Sequence, residues 1–306
     1  MARSINSWEN AEARAIVGGM QLREIQPADY ACFAVLFSQH HQGRFAVTAE
    51  QLASSAPLTR FVVTDGGEIL AGAGISTQPG YQDGRRVDIY TESDDAWDFA
   101  NRELTARLKA DGVARVLAVV REDYPACRRL EAAGFELTSQ SWAAHLHLDG
   151  PVTDSGYREI LADAAYSVSE VAPTEHEAAF RLYDAAYADF PRTPATTPAE
   201  HSAESFHELL DHSRAFAIMD NGICLALTVM TVDGDDAETE FTVVAAAYRR
   251  MGLAKLVKAT AIRALATEGV RSFGTGGAAV NEGSLRMNLS LGYVLDPKWR
   301  TYESAV

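Results

Sequence analysis

Chemically informative residues cluster in the second half of the 306-residue chain, where a strand-like run leads into the segment 249–255. This segment has the pattern Arg-x-x-Gly-x-Ala and opens an amphipathic helix. Unpaired N–H groups at a helix N-terminus attract anions, and a glycine allows close approach to the backbone. Arginine side chains add charged donors. The pattern predicts a pyrophosphate cradle formed by Arg249, Arg250, Met251, Gly252, Leu253, Ala254 and Lys255.

Charge is distributed unevenly along the chain. The formal net charge is −15, from 27 Lys and Arg against 42 Asp and Glu. This acidity excludes nucleic acid and an anionic membrane surface as partners, because both need a basic protein surface, and it suits small cationic substrates. Residues 241–267 nevertheless contain no acid and five bases, which also fit the solvated basic face of a helix. The five bases are Arg249, Arg250, Lys255, Lys258 and Arg263.

The elements around this segment occur twice along the chain. Hairpin signals followed by alternating strands and helices predict the order β–α–α–β–β–β–α–β–α–β in each half, and a Gly-aromatic pair (Gly134-Phe135, Gly292-Tyr293) follows the last helix. Such an order indicates an α/β fold with a mixed sheet flanked by helices. We predict an N-terminal extension at 1–20, a first domain at 21–149 and a second domain at 150–306.

Capping signals predict where helices begin. The pairs Thr48…Gln51 and Thr197…Glu200 have the spacing of capping boxes for the second helix of each half. The long helix after the fourth strand is predicted over 94–109 in the first half and 252–267 in the second. The second of these helices would carry the chemistry, since the cradle opens it.

The order of elements, the cradle and the Gly292-Tyr293 pair together resemble the GNAT family of acyl-CoA-dependent N-acetyltransferases. The cradle matches the Q/R-x-x-G-x-G/A motif of that family, and residues 281–293 are similar to the segment that closes over the CoA arm. The resemblance covers about residues 21–148 and 160–303. It therefore implies two tandem GNAT domains, a bacterial architecture to which mycothiol synthase also belongs.

The resemblance implies a binding mode for acetyl-CoA, the expected co-substrate. The fourth and fifth strands would splay apart, and the backbone of the fourth strand would pair with the pantetheine amides as an added strand does. The side chains implied to face the cofactor arm come from the segment after the fifth strand. The additional cofactor-binding residues are Thr242, Val243, Val244, Asn281, Ser284 and Asn288.

The resemblance also implies a general base on the fourth strand. Glu238 lies eleven residues before Arg249, the spacing at which several GNAT enzymes place a carboxylate that deprotonates the amine. Glu240 is predicted on the same face of the strand, where two carboxylates raise each other's pKa. Two ordinary exposed acids that attract a cationic amine are the alternative. The general acid stays open: Asn288 stands where many relatives carry a tyrosine, and the other candidates are Tyr248, Tyr293 and Tyr302.

The first half lacks the cradle motif. An alignment of the two fourth strands places Phe99 opposite Gly252, and residues 88–114 contain seven acids against three bases. Negative charge at a helix N-terminus repels phosphate, and a bulky ring would block its approach. We therefore predict that the second domain alone binds acyl-CoA.

The sequence says less about the acceptor substrate, the cellular location and the oligomeric state than about the cofactor site. Tyr187, Asp189 and Arg192 follow the first helix of the second domain and are candidate substrate contacts, and no metal site is predicted. We expect a small-molecule primary amine as acceptor, a cytoplasmic location and a monomer or homodimer. A non-catalytic acyl-CoA sensor and an acetyltransferase of protein amines are the alternative functions.

Overall fold

The computed structural model describes residues 19–42, 47–54, 58–78, 81–149, 166–194 and 196–306. The predicted extension therefore lies outside the described residues apart from Gly19 and Met20. The described chain forms two compact units. Unit 1 comprises residues 1–138 together with 300–306, and unit 2 comprises residues 139–299.

The elements follow one another in the predicted order. The strands are β1 (Met20–Glu24), β2 (Thr59–Asp65), β3 (Glu68–Gln78), β4 (Tyr81–Tyr90), β5 (Arg115–Arg121), β6 (Glu136–His147), β7 (Ser169–Glu170), β8 (Arg214–Asp220), β9 (Ile223–Asp233), β10 (Asp236–Val244), β11 (Ser272–Ala278), β12 (Val294–Leu295) and β13 (Trp299–Ala305). The helices are α1 (Tyr30–His40), α2 (Ala49–Ser54), α3 (Asp94–Ala110), α4 (Ala126–Ala132), α5 (His176–Tyr187), α6 (Ala203–Asp211), α7 (Leu253–Thr267) and α8 (Glu282–Leu289). The mixed α/β fold is confirmed.

The strands of each unit pair in a mixed parallel and antiparallel pattern. In unit 1 the strand order is β1-β2-β3-β4-β5-β13, antiparallel from β1 to β4 and parallel between β4 and β5. In unit 2 the order is β7-β8-β9-β10-β11-β6, with a parallel pair only between β10 and β11. The matching orders support the predicted internal repeat.

The final strands of the two halves are exchanged between the units. Residues 139–147 of β6, which end the first half of the sequence, pair with β11 in unit 2. Residues 300–305 of β13, which end the second half, belong to unit 1. The compact units therefore differ from the predicted sequence halves by these two segments. The exchange does not change the position of residues 170–293, which include all the predicted site residues.

The two predicted capping boxes have different outcomes. The first is confirmed: the Thr48 amide donates to the Gln51 side chain at 2.8 Å, and the Gln51 amide donates to the Thr48 hydroxyl at 3.1 Å. The second is wrong, because α6 begins at Ala203 with Ser202 as its N-cap. The Thr197 hydroxyl instead donates to the carbonyl of Thr193, which holds this segment as a loop.

Apolar side chains fill both faces of the unit 2 sheet. One buried cluster lies between the sheet and α7 and includes Ile262, Leu265 and Phe273. Another lies between the sheet and helices α5 and α6 and includes Leu182 and Phe206. These clusters fix β10 between two helical layers. None of the helices in the described ranges has the length and apolarity needed to cross a bilayer.

Candidate active site

The parallel strands β10 and β11 separate within unit 2. They pair only from Asp236–Glu238 to Ser272–Gly274, although β10 continues to Val244 and β11 to Ala278. Beyond Glu238, β10 pairs on its other side with β9. The splay implied by the family resemblance is therefore confirmed. It leaves one edge of the β10 backbone available to an added strand-like ligand.

A cavity of about 500 Å³ opens at this splay. Its wall combines carboxylates, aromatic rings and small polar side chains from β10, β11, α7 and the loop after α5. The lining residues include Trp142, Tyr183, Phe190, His201, Glu238, Glu240, Lys258, Thr275, Ser284 and Asn288. The volume and the mixed lining are those of a small-molecule site.

A second cavity of about 220 Å³ adjoins the first. The two share Phe190, Pro191, Thr242 and Asn281 in their walls. The smaller cavity is also lined by Val243, Val244, Asp189 and Arg249. The two adjoining cavities thus lie along β10 between Arg249 of the cradle and Glu238.

Glu238 lies at the point where the strands separate. Its carboxyl group packs directly over Gly274 of β11, where an added Cβ would stand 1.7 Å from Oε2. The side chain is exposed, yet enough protein surrounds the carboxyl group that desolvation raises its pKa, with a smaller raising effect from Glu240 and an opposing one from Lys258. A carboxylate with a raised pKa is a better proton acceptor near neutral pH.

Glu240 lines the same cavity as Glu238, but not through the regular alternation of side chains that was predicted for this strand. The register between β9 and β10 shifts between Thr239 and Phe241, so Glu240 sits in a β-bulge. The Thr231 hydroxyl donates to Glu240 Oε1 at 2.7 Å. Bulges often redirect side chains beside functional sites. Both carboxylates line one cavity, and their catalytic roles remain predictions.

We expect Gly274→Ala to lower turnover strongly with little loss of stability. The new Cβ would displace the carboxyl end of Glu238, a flexible tip that can move without disturbing the fold. A misplaced catalytic group costs about 10²-fold in rate. Gly74→Ala in β3 is the matched control, because an added Cβ there meets nothing within 4 Å. Equal kcat values for the two variants, measured at equal melting temperature, would contradict the position assigned to Glu238.

Lys258 is buried rather than part of an exposed basic face. Its side chain is 1% exposed, and Nζ donates to Thr275 Oγ1 at 3.0 Å and to Asn288 Oδ1 at 2.5 Å. Burial lowers the pKa of Lys258 to about 7, against a raising effect of Glu238. The interpretation of residues 241–267 as five solvated bases is therefore wrong for this lysine.

The buried lysine predicts a pH-dependent stability. Its usual pKa of 10.5 falls to about 7 in the folded protein. Between these values the unfolded chain binds more protons, so the free energy of unfolding rises with pH. Relative to Lys258→Met, we expect the wild type to gain about 1.4 kcal/mol per pH unit in this window. Urea unfolding of both proteins from about pH 7 to 10 measures it, and parallel pH profiles would contradict it.

The start of α7 has the features of an anion cradle. Gly252 is the N-cap residue with φ +81°, a left-handed conformation that favours glycine, and Arg250 has φ +65°. No side chain caps the helix, and its first turn contains no acid. The first backbone N–H groups are therefore available to an anion. Leu253 is buried in the core, so only its backbone can serve such a ligand.

Arg249 joins the cradle to the loop after α5. Its Nε donates to the Val244 carbonyl at 3.1 Å, and its Nη2 donates to Asp189 Oδ2 at 2.6 Å. Both partners of this ion pair are largely exposed. Asp189, predicted as a substrate contact, is thus placed beside the predicted pyrophosphate site. An arriving anion would compete with it for the guanidinium.

The polar residues after β11 form a connected set. Asn281 is the N-cap of α8 and accepts a hydrogen bond from the Ser284 amide at 3.2 Å. The Asn288 amide nitrogen donates to the Ser284 carbonyl at 2.9 Å, while its oxygen accepts from Lys258. All three line the larger cavity. Their predicted contacts with a cofactor remain untested predictions.

Two of the predicted substrate residues lie away from the lining of both cavities. Tyr187 donates to the Pro198 carbonyl at 3.4 Å, and the Arg192 guanidinium stands over the Tyr187 ring at 4.8 Å. The cavity wall instead contains Trp142, Tyr183 and Phe190. None of these three residues was predicted from the sequence to line a site. Trp142 reaches the site because residues 139–147 pair with β11 in unit 2.

The start of the helix in unit 1 that corresponds to α7 corrects the alignment of the two halves. α3 starts at Asp94 with Ser93 as N-cap, so Ser93, not Phe99, corresponds to Gly252. The proposed steric block by Phe99 is wrong, because this ring is buried in the core of unit 1. The Ser93 hydroxyl accepts from the Ala96 amide at 3.2 Å, and Asp94 and Asp95 occupy the first turn. A side-chain cap and two acids make this helix end unsuitable for phosphate.

Aromatic rings occupy the corresponding splay of unit 1. β4 and β5 pair only up to Arg86–Leu117, as in unit 2. The His40 ring lies 5.3 Å from Tyr90 at the end of β4 and 5.3 Å from Tyr124 just after β5. Burial lowers the pKa of His40 to about 4, so this imidazole is neutral near pH 7. The prediction that unit 1 binds no acyl-CoA remains a prediction, now with a different physical reason.

Within the described ranges, no group of three or more His, Cys, Asp and Glu side chains could hold a metal ion. The cavity residues are instead suited to proton transfer and to hydrogen bonding. The indole N–H of Trp142 and the hydroxyl of Thr239 are buried in the cavity wall without a hydrogen-bond partner among the described residues. Such buried polar atoms are available to a ligand.

Residues 177–293 match the model of the acetyltransferase (GNAT) family. This segment contains the splay, the cradle and the residues that line the two cavities, apart from Ser141 and Trp142 of the larger one. The family supports acyl transfer as the general chemistry. No curated protein sequence matches the chain significantly.

Solved structures share the fold over nearly the whole chain at low sequence identity. A GCN5-related N-acetyltransferase from Sphaerobacter thermophilus has 15% identity and a TM-score of 0.72, covering 95% of this chain and 97% of its own. A tandem GNAT protein from the clavulanic acid biosynthesis pathway has 15% identity and a TM-score of 0.63, covering 94% and 98%. A GNAT-family acetyltransferase from Colwellia psychrerythraea has 12% identity and a TM-score of 0.58, covering 93% and 99%. The chain thus shares its fold with these proteins over nearly its whole length.

Proposed function

We propose that the protein transfers an acetyl group from acetyl-CoA to a primary amine of a small molecule, using unit 2. The observation that carries this proposal is Glu238, a carboxylate with a raised pKa at the point where β10 and β11 separate. The two adjoining cavities between Arg249 of the cradle and this carboxylate support it. We further propose that the protein acts in the cytoplasm as a monomer or homodimer.

The residues of unit 2 fit acetyl-CoA in three respects. The uncapped start of α7 suits the pyrophosphate, with Arg249 and Arg250 adjacent. The unpaired edge of β10 from Thr239 to Val244 suits the amides of the pantetheine arm. Asn281 lines both cavities along this path. When bound, acetyl-CoA supplies an acetyl group activated as a thioester.

The cavity residues would prepare the amine for attack. Glu238 accepts a proton from the ammonium and so yields the neutral nucleophile. Glu240, held by Thr231, contributes negative charge that attracts the cationic acceptor. The two carboxylates are thus assigned different tasks, one in proton transfer and one in binding.

The aromatic residues in the wall of this cavity favour an acceptor with an apolar or aromatic part. Trp142, Tyr183, Phe190 and Phe241 line the same cavity as Glu238. Aromatic walls bind flat apolar groups and also stabilise cations over their faces. We therefore propose a primary ammonium attached to an apolar or aromatic group as the acceptor class.

The test is the release of free CoA thiol from acetyl-CoA in the presence of a panel of amines. We expect amine-dependent thiol release, with an acetylated small amine identified by mass spectrometry. Acetyl-CoA binding without thiol release would instead indicate a sensor. Acetylation of lysine-containing peptides in preference to every small amine would indicate an enzyme for protein amines.

A further inference from the structure

Lys258 occupies an unusual position for a lysine. It lies within α7 between the buried residues Val257 and Ala259 and is 1% exposed. Its Nζ donates to Thr275 and Asn288, and it stands 4.8 Å above the ring of Tyr293. Burying an ammonium is costly unless its charge is compensated, so such a lysine calls for an explanation.

The partners of this ammonium are neutral. Among the described residues, no carboxylate makes an ion pair with Nζ, and both hydrogen-bond acceptors are uncharged oxygens. The titratable groups facing it are Glu238 from β10 and the Tyr293 ring from the segment after α8. Desolvation therefore dominates and brings the pKa of Lys258 to about 7. The group can release and recover a proton near neutral pH.

Lys258 also borders the reaction cavity. Lys258, Thr275, Asn288 and Glu238 all line the cavity of about 500 Å³. A protonated amine has three N–H donors, and the two hydrogen bonds to Thr275 and Asn288 leave one for another acceptor. The third N–H of Lys258, which bulk water does not reach, can therefore donate a hydrogen bond to a substrate in this cavity.

The tyrosines that were candidates for the general acid lie outside both cavities. Tyr302 belongs to unit 1, where its hydroxyl donates to Glu131. Tyr248 lies in the turn before α7, and neither it nor Tyr293 lines either cavity. Tyr183 does line the larger cavity, but its hydroxyl donates to the Ala199 carbonyl. His201 remains as the competing proton donor in the wall.

We propose that Lys258 is the general acid of the acyl transfer, an inference that rests on the proposed function. In this step the amine nitrogen forms a bond with the acetyl carbon, and the bond from that carbon to sulfur breaks. A first proton of the ammonium passes through Glu238 to solvent before the attack. As the tetrahedral intermediate collapses, Glu238 accepts the second proton from the same nitrogen, and the leaving thiolate takes a proton from Lys258 Nζ. A proton returned from Glu238 to Lys258, directly or through water, restores the starting state.

The first measurement concerns the unliganded protein. The chain contains four lysines, Lys109, Lys255, Lys258 and Lys298, so the ¹³Cε NMR signals of protein produced with ¹³C-labelled lysine can be assigned by substitution. We expect one signal that titrates near pH 7 and that Lys258→Met removes. Four signals titrating at the usual pKa of lysine would overturn the proposal.

The second measurement is the pH dependence of kcat. An acid with a pKa of about 7 gives a decline of kcat above that pH. Lys258→Met should lower kcat by about 10²-fold or more and remove this decline, whereas His201→Gln should keep it. Thr275→Val removes one acceptor of the ammonium, so the decline should move to lower pH by about one unit. A purely structural lysine would leave the position of the decline unchanged.

The outcomes separate the two claims. If the wild type acetylates an amine and Lys258→Met keeps the same kcat and the same decline, Lys258 is not the general acid and the proposed function stands. If the wild type shows no amine-dependent thiol release, the proposed function fails and the role of Lys258 fails with it. Should Lys258→Met not fold, the Thr275→Val shift and the lysine titration of the wild type decide the matter.

Discussion

Replacing Glu238 with glutamine is expected to lower kcat by about 10²–10⁴-fold, the range typical for loss of a general base. Acetyl-CoA affinity should be unchanged, because Glu238 lies at the splay and the cradle lies at the start of α7. In the wild type, kcat should fall as the pH drops through the raised pKa of Glu238, since protonation removes the base. The variant should lack this acid limb. Steady-state rates across pH and calorimetric binding of acetyl-CoA measure both quantities.

Glu240→Gln is the matched control for this prediction. The amide keeps the size of the side chain and can still accept from the Thr231 hydroxyl. We expect a higher KM for a cationic amine and a smaller loss of kcat than for Glu238→Gln. Because Glu240 raises the pKa of Glu238, the acid limb should move to lower pH. Equal losses of kcat in the two variants would contradict the separate tasks assigned to the two carboxylates.

Introducing an acid at the cradle is expected to have the second large effect. Ala254→Asp places a carboxylate in the first turn of α7, the arrangement that Asp94 and Asp95 produce in α3 of unit 1. The Kd for acetyl-CoA should rise by about 100-fold, or about 2.7 kcal/mol, because like charge repels the pyrophosphate. Thermal stability should stay equal or rise, since an acid near a helix N-terminus favours the helix. Calorimetry and a melting curve test both parts.

Ala254→Asn separates charge from size in this experiment. The asparagine adds nearly the same volume without the negative charge, so we expect a much smaller loss of affinity. Loss of binding in both variants would indicate a steric effect, and retained binding in Ala254→Asp would place the pyrophosphate elsewhere. Only retained binding would contradict the assignment of the cradle to the start of α7, whereas a steric effect would contradict the electrostatic reason given for it.

Local sequence signals predicted the elements that hold the site. The helices predicted over 94–109 and 252–267 are found at Asp94–Ala110 and Leu253–Thr267, because an N-terminal signal and apolar periodicity agree there. The splay between the fourth and fifth strands followed from the family resemblance and is present. These features depend on short-range patterns or on a shared fold, and both are visible in one sequence.

Features that depend on tertiary contacts were missed. Lys258 was counted as a solvated base, although its neighbours Val257 and Ala259 and its spacing from Ile262 place it on the apolar face of α7. That spacing was the signal that could have identified it. The alignment that paired Phe99 with Gly252 failed because the connection from the fourth strand to the helix is shorter in unit 1, from Tyr90 to Ser93, than in unit 2, from Val244 to Gly252. The helix caps give the correct match.

The exchange of final strands was not visible in the sequence either. Nothing in the local pattern of residues 139–147 indicates which unit they join, so Trp142 could not be assigned to the cavity. The Thr197 capping pattern failed for a related reason. The carbonyls of Pro198 and Ala199 accept hydrogen bonds from Tyr187 and Tyr183, and these long-range contacts keep the segment as a loop.

Hydrogen–deuterium exchange with and without acetyl-CoA tests the central claim most directly, because it reports where the cofactor binds in solution. We predict slower exchange of the backbone amides of β10 beyond Glu238 and of the first turn of α7, residues 239–244 and 253–255. The first turn of α3 in unit 1 should be unchanged. Protection at Ser93–Ala96, or no protection along β10 and α7 at saturating acetyl-CoA, would contradict an acyl-CoA site in unit 2.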